Sequence, residues 1–182
     1  MTLQQRIEKA FAHRRIPAEV VEMEGRFQID SDVEDALWFK GRDWHVLTVE
    51  DWHRRHLGFY FLSPEAFAYY LPSLLILTIL NPKDYPGLAV DSFLWQLDRS
   101  PGPENLDPPL IDRYSVLNDE EFNAIKEWLL FACESVPQSF GGAAASGPGD
   151  GFGRVFDTLE LLQKEAERHD MGDHKSSGAG SK

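Results

Sequence analysis

Five side chains in this sequence are of types that could line a reactive or ligand-binding pocket: Asp43, Trp44, Glu65, Tyr69 and Tyr70. Glu65 and Tyr69 lie four residues apart in a predicted helix, so the carboxylate could accept a hydrogen bond from the phenol. A carboxylate enclosed by aromatic rings has a raised pKa and can act as a general base. The alternative is that a first-turn Glu stabilises the helix dipole. The sequence favours the helix-dipole role for Glu65, and no catalytic residue is predicted. The five residues are candidates for contact with a ligand or a partner.

The neighbouring histidines have structural explanations. A His45–Asp43 pair would need facing side chains, which neighbours in sequence seldom present, so Asp43 is predicted to cap its loop while Trp44 fills the core. His53 and His56 share one face of a predicted helix, but a zinc site takes three or four ligands and the HExxH spacing is absent. No metal and no cofactor are therefore predicted.

An apolar and aromatic segment, residues 57–80, must position the candidate side chains. The sequence SPE beginning at Ser63 combines an N-cap residue, a proline at the first helical position and a first-turn acid, which predicts a helix start. Pro72 lacks a backbone donor and clashes with the preceding turn. A kink or break is therefore predicted between a helix near 64–71 and a second, buried helix near 72–81.

Start signals and apolar periodicity predict further helices over 3–13, 31–39, 49–56, 88–97, 119–135 and 154–169. In the fourth of these, Leu88 and three later apolar residues are predicted to face the core. Residues 59–62 are predicted to be extended, and residues 98–117 to form a long irregular connection held by its own apolar side chains. The predicted fold class is mainly α: a compact single-domain fold of about six or seven helices, with at most a marginal β element.

Composition predicts four regions along the chain. Residues 1–136 are predicted to be a helical core domain, and residues 137–153 a Gly/Ala-rich flexible linker. Residues 154–170 are predicted to be an amphipathic C-terminal helix, which either returns to the core or docks elsewhere. Residues 171–182 are predicted to be a disordered tail.

The chain is acidic, with a formal net charge of −12. Residues 1–60 hold 9 Lys/Arg against 11 Asp/Glu, and residues 61–182 hold 9 against 19. Because such a surface repels phosphate backbones, nucleic acid is excluded as a predicted partner. The apolar run 71–80 has about half of the roughly 20 residues that span a bilayer, and the N-terminus lacks the apolar core of a signal peptide. A cytoplasmic protein without a membrane partner is predicted.

The segment FYFLSPEAFAYYLPSLL (59–75) resembles the hallmark of a family of small bacterial proteins of unknown function, which carry a similar Y-F-L-x-P-E-A-F-x-Y-Y-L-P core. An upstream DW…LT pattern beginning at Asp43 and a later LNDEEF…I…WL pattern over 117–129 are similar too. The resemblance covers about residues 30–135. Ala68 stands where such a core usually has Arg. The resemblance implies a fold, but it implies no established activity and supplies no catalytic residues.

These features favour a non-enzymatic, acidic protein-binding module of the bacterial cytoplasm, in its specific form an immunity or antitoxin-like protein that covers a basic partner. The acidic C-terminal half or the last helix could supply the interaction surface. One alternative is a small enzyme or ligand-binding protein with an aromatic-lined pocket around Glu65. Another is a homo-oligomer that forms through the C-terminal helix.

Overall fold

The computed structural model describes residues 1–21, 31–99, 102–135 and 150–176. Within these ranges lie eight α-helices: α1 Leu3–Phe11, α2 Ser31–Leu37, α3 Val49–Arg54, α4 Pro64–Leu80, α5 Gly87–Leu97, α6 Pro108–Ser115, α7 Asp119–Ser135 and α8 Asp150–Ser176. The described residues also contain three short 3₁₀ helices: Trp44–Val46, His56–Phe61 and Pro103–Asn105. The predicted mainly α fold class is confirmed. None of the described helices is long and apolar enough to cross a membrane.

The central element is α4, in which twelve of 17 residues are buried. The helix begins as predicted: the Ser63 hydroxyl accepts a hydrogen bond from the Ala66 N–H at 3.3 Å, and Pro64 follows at the first helical position. The predicted break at Pro72 is wrong, because α4 continues through it as one helix. An internal proline costs about 3 kcal/mol, and burial on every side of α4 outweighs that penalty.

Polar contacts around the proline fix neighbouring helices to α4. The Ser73 hydroxyl donates to the Tyr70 carbonyl at 2.9 Å and accepts from the Trp52 indole of α3 at 3.0 Å. The Trp128 indole of α7 donates to the Leu75 carbonyl at 3.0 Å. Because a buried indole N–H needs a partner, these bonds allow two tryptophans to pack inside the core.

The segment before α4 also differs from its prediction. Residues 56–61 form a 3₁₀ helix and not an extended strand. Leu62 alone is extended, and it makes an isolated antiparallel bridge with Val21. The Ser63 N–H donates to the Val20 carbonyl at 2.8 Å. The marginal β element predicted for the chain is therefore a single bridge in the described residues.

The connection 98–117 was predicted to be irregular, but it contains α6. The Asp107 carboxylate caps this helix by accepting the Leu110 N–H at 2.9 Å, and two prolines occupy its first positions. Of the apolar side chains in this segment, Leu106, Leu110 and Tyr114 are buried, and Ile111 is partly buried against the core. The sequence thus predicts that the apolar residues of this segment pack on the core, but it does not predict α6.

A buried ion pair joins the N-terminal region to α7. The carboxylate of Glu121 is fully buried, and the Arg14 guanidinium donates to its two oxygens at 2.7 and 2.6 Å. The same Glu121 completes the predicted capping box with Asn118, through backbone-to-side-chain bonds of 2.9 and 3.0 Å. Removal of one partner of such a pair would leave an uncompensated buried charge.

The last helix returns to its own core. Its predicted apolar stripe is buried against α5, α6 and α7: Val155, Leu159, Leu162 and Ala166. An ion pair of 2.5 Å between Arg154 and Asp98 joins α8 to the end of α5. The helix is longer than predicted at both ends, since it includes residues 150–153, assigned to the linker, and residues 171–176, assigned to the tail. Residues 137–149 of the predicted linker lie outside the described residues.

Candidate functional site

Four of the five predicted site residues come together where the 3₁₀ helix Trp44–Val46 packs against α4. Trp44 and Tyr69 are almost completely buried, and Tyr70 is fully buried. The Tyr69 phenol lies beside the Trp44 backbone and the Asp43 carboxylate, which both influence its pKa. Burial is the largest cause that raises the pKa of Tyr69; the Trp44 backbone opposes it, and the nearby Asp43 charge adds to it.

Asp43 and His45 contact each other, against the prediction that their side chains would not face. One Asp43 oxygen accepts both the His45 backbone N–H at 2.9 Å and the His45 ring Nδ1 at 2.6 Å. The 3₁₀ turn places the two side chains on one side, with the imidazole stacked on the Trp44 ring at 3.6 Å between centroids. The backbone bond, then the ring bond, lowers the pKa of Asp43. The predicted capping role of Asp43 and the buried position of Trp44 are both confirmed.

The Tyr70 hydroxyl is bonded entirely inside the protein. It contacts the Phe39 carbonyl at 2.5 Å and the Arg42 carbonyl at 3.1 Å, so it holds the chain after α2 against α4. Burial raises the pKa of Tyr70 to about 12. The Phe39 and Tyr69 rings lie 5.0 and 4.9 Å from its own ring. These contacts explain Tyr70 as a structural side chain.

Glu65 does not join this cluster. It is exposed in the first turn of α4, whereas Tyr69 is buried and points its phenol toward Asp43. An exposed carboxylate is not enclosed by aromatic rings, so the basis for an aromatic-lined pocket at Glu65 is lost. The first-turn position agrees with the helix-dipole interpretation.

The chemistry open to this cluster is limited by its exposure. The bond to Asp43 orients the His45 imidazole, which is one requirement for a general base. However, the side chains of Asp43 and His45 are 50% and 61% exposed, so water has free access to both. Catalytic sites gain electrostatic strength by excluding water. Among the described residues, no group of three or more His, Cys, Asp or Glu is placed to hold a metal ion.

A second surface, which the sequence did not indicate, lies on α5. Leu88, Asp91 and Trp95 follow one another at helical spacing, and we call these three residues the α5 outer face. The Trp95 side chain is 68% exposed and Leu88 is 54% exposed, so the prediction that Leu88 faces the core is wrong. The core-facing arc of α5 is occupied by its other apolar residues, among them Phe93 and Leu94. That crowded arc was the available signal, since it leaves the opposite side for Leu88 and Trp95.

Asp91 lies between the two exposed apolar side chains and is half-buried. Burial raises the pKa of its carboxyl group. Among the residues that the structure describes, no salt bridge or hydrogen bond to the Asp91 side chain is formed. The α5 outer face therefore combines a partly dehydrated acid with an exposed indole and an exposed aliphatic side chain.

Fold and surface together define a helical protein built around one buried helix, with Leu88 and Trp95 exposed beside a half-buried Asp91 on the α5 outer face. The chain belongs to a family of unknown function, DUF6714, whose model matches residues 2–145. This match is longer than the resemblance over about residues 30–135 and includes α1, while α8 lies beyond it. No curated protein and no solved structure matches the chain significantly.

Proposed function

We propose that this protein is a non-enzymatic, acidic module that binds a basic protein partner. The observation that carries the proposal is the α5 outer face, where Trp95 and Leu88 are exposed beside Asp91, whose carboxylate has no salt bridge or hydrogen bond within the described residues. Tryptophan is enriched among the residues that dominate binding energy at interfaces, and exposed apolar patches mark interaction sites. The net charge of −12 favours a partner of opposite sign.

In its most specific form, the module is an immunity or antitoxin-like protein that covers a basic toxin in the bacterial cytoplasm. Such a role needs a complementary surface and no catalytic group. An acidic chain also attracts a basic partner at long range, which accelerates their encounter. The small acidic fold supports this form of the proposal.

The test is affinity capture from extract of the native cell at low and high salt, followed by mass spectrometry. Trp95→Ala is compared with Leu130→Ala, which truncates another exposed apolar side chain, on α7. We expect wild type and Leu130→Ala to retain one basic protein in stoichiometric amount at low salt and less of it at high salt, while Trp95→Ala loses it. Absence of a retained basic protein at either salt would overturn the proposal, as would equal capture by all three chains.

The two alternatives have no observation that favours them. Glu65 is exposed, so a pocket around it has no enclosing wall. The apolar stripe of α8 is already buried against its own chain, and a homo-oligomer would have to replace those contacts. Both remain predictions from the sequence.

A further inference from the structure

Building on this proposed function, we infer that the α5 outer face is a receptor for one Lys or Arg side chain of the partner. The cationic group sits on the Asp91 carboxylate beside the Trp95 indole, and the alkyl stem lies along Leu88. The net charge of the chain predicts only that the partner is basic. The α5 outer face specifies which group of that partner is bound, a single Lys or Arg side chain.

The order of residues along the helix suits such a side chain. At about 1.5 Å per residue, Leu88 and Trp95 are roughly 10 Å apart along the helix axis, with Asp91 between them. Lys and Arg have long apolar stems that cover apolar surface while the charged end stays polar. One side chain can therefore contact an aliphatic group, a carboxylate and an aromatic ring on this face.

The electrostatics of Asp91 favour a cation at this point. Burial has removed part of the water around its carboxylate, and no group of the described chain replaces that water. A cation would supply the missing interaction and form a charge-assisted hydrogen bond. It would also interact with the face of the Trp95 ring, which attracts cations. An acidic or neutral side chain would bury the Asp91 charge without compensation, so the site discriminates against both.

The test uses the full chain and three short peptides as probes: hexalysine, hexa-arginine and hexaglutamine. Binding is measured by calorimetry at low salt and by the indole N–H signal of Trp95 in NMR spectra. Asp91→Asn removes the negative charge of the receptor, and Trp95→Ala removes its aromatic ring. Asp112→Asn, which neutralises an exposed acid on α6, and Leu130→Ala are the matched controls. Circular dichroism establishes that each variant is folded.

We expect both basic peptides to shift the Trp95 signal and hexaglutamine to leave it unchanged. Asp91→Asn and Trp95→Ala should each weaken binding about threefold or more, and the two controls should not. If Asp91→Asn and Asp112→Asn weaken peptide binding equally, the peptides are held by diffuse charge attraction, and the proposed receptor is overturned. If the native partner is captured by Asp91→Asn but not by Trp95→Ala, the receptor fails and the proposed function survives. If wild type captures no basic protein, the proposed function itself fails.

Discussion

Asp43 and Asp91 both lie at the protein surface, yet their pKa values move in opposite directions. Asp43 accepts bonds from the His45 backbone and ring, and its pKa is lowered. Asp91 is half-buried without such donors among the described residues, and its pKa is raised. The tryptophans near these two acids also differ in exposure: Trp44, next to Asp43, is 6% exposed, and Trp95, one helical turn after Asp91, is 68% exposed.

The contrast separates residues whose contacts hold the fold together from residues that the described fold leaves at the surface without such contacts. Around Asp43, polar groups bond to one another and aromatic rings are covered, so the fold itself accounts for them. On the α5 outer face, an indole and a carboxylate lie at the surface with their bonding capacity unused inside the described chain. The sequence predicts a candidate site in the first region, whereas the proposed binding surface lies in the second.

The largest expected effect is in the first region, at Tyr70. Replacement of this fully buried ring in Tyr70→Ala should cost about 3–5 kcal/mol of unfolding free energy, because it opens a cavity in the core. Tyr70→Phe should cost about 1 kcal/mol, since it removes the hydroxyl that contacts two backbone carbonyls. Urea denaturation measures both values. A loss below about 1 kcal/mol for Tyr70→Ala would contradict a structural role and reopen the cluster as a ligand site.

A second prediction compares two leucines of α5. Leu94 is 1% exposed and Leu88 is 54% exposed, so the same truncation tests the two sides of one helix. Leu94→Ala should lower the unfolding free energy by about 2–5 kcal/mol, and Leu88→Ala should change it by about 0.5 kcal/mol or less. Thermal and urea unfolding provide the measurement. Similar losses at both positions would show that Leu88 is covered in solution, and the α5 outer face would no longer be a free surface.

Features with a local cause were predictable from the sequence. The helix start at Ser63 and the capping box between Asn118 and Glu121 depend on side chains that bond to backbone three residues away. The apolar stripe of α8 likewise follows from spacing alone. The cap formed by Asp107 before two prolines is the same kind of local signal, and it was missed because the surrounding residues are rich in proline.

Features decided by distant contacts were not predictable in this way. Pro72 stays inside a helix because α4 is enclosed by other elements, which the local sequence does not record. Tyr69 turns toward Asp43 and away from Glu65 because the 3₁₀ helix after Asp43 packs there. Leu88 faces outward because other α5 residues occupy the core-facing arc. Each of these outcomes depends on which elements meet in three dimensions.

A smaller effect is expected from Asp43→Asn, which keeps the shape of the side chain and removes its charge. At neutral pH this variant should be less stable by about 0.2–1 kcal/mol, because the charge-assisted bonds to His45 weaken while solvent screens this half-exposed pair. A carboxyl group with a lowered folded-state pKa stabilises the fold above its unfolded pKa of 3.8 and loses this contribution as the pH falls through the folded value. The difference from wild type should therefore shrink below pH 3.8, as measured by urea denaturation across that range. If the stability difference between Asp43→Asn and wild type does not change with pH, the loss of stability comes from a change in side-chain shape and not from the lost charge.

The smallest effect on stability is expected from Asp91→Asn, and it is opposite in sign to the effect of Asp43→Asn. A carboxyl group with a raised folded-state pKa weakens the fold when ionised: the stability present below its unfolded pKa of 3.8 is lost as the pH rises through the folded value. At neutral pH, Asp91→Asn should therefore be as stable as wild type or more stable by up to about 0.5 kcal/mol, and the gain should vanish below pH 3.8. Parallel urea titrations of the two Asn variants make the comparison direct. A loss of stability at neutral pH would mean that Asp91 has a favourable partner within the folded chain, so its carboxylate would not be available to a cation of another protein.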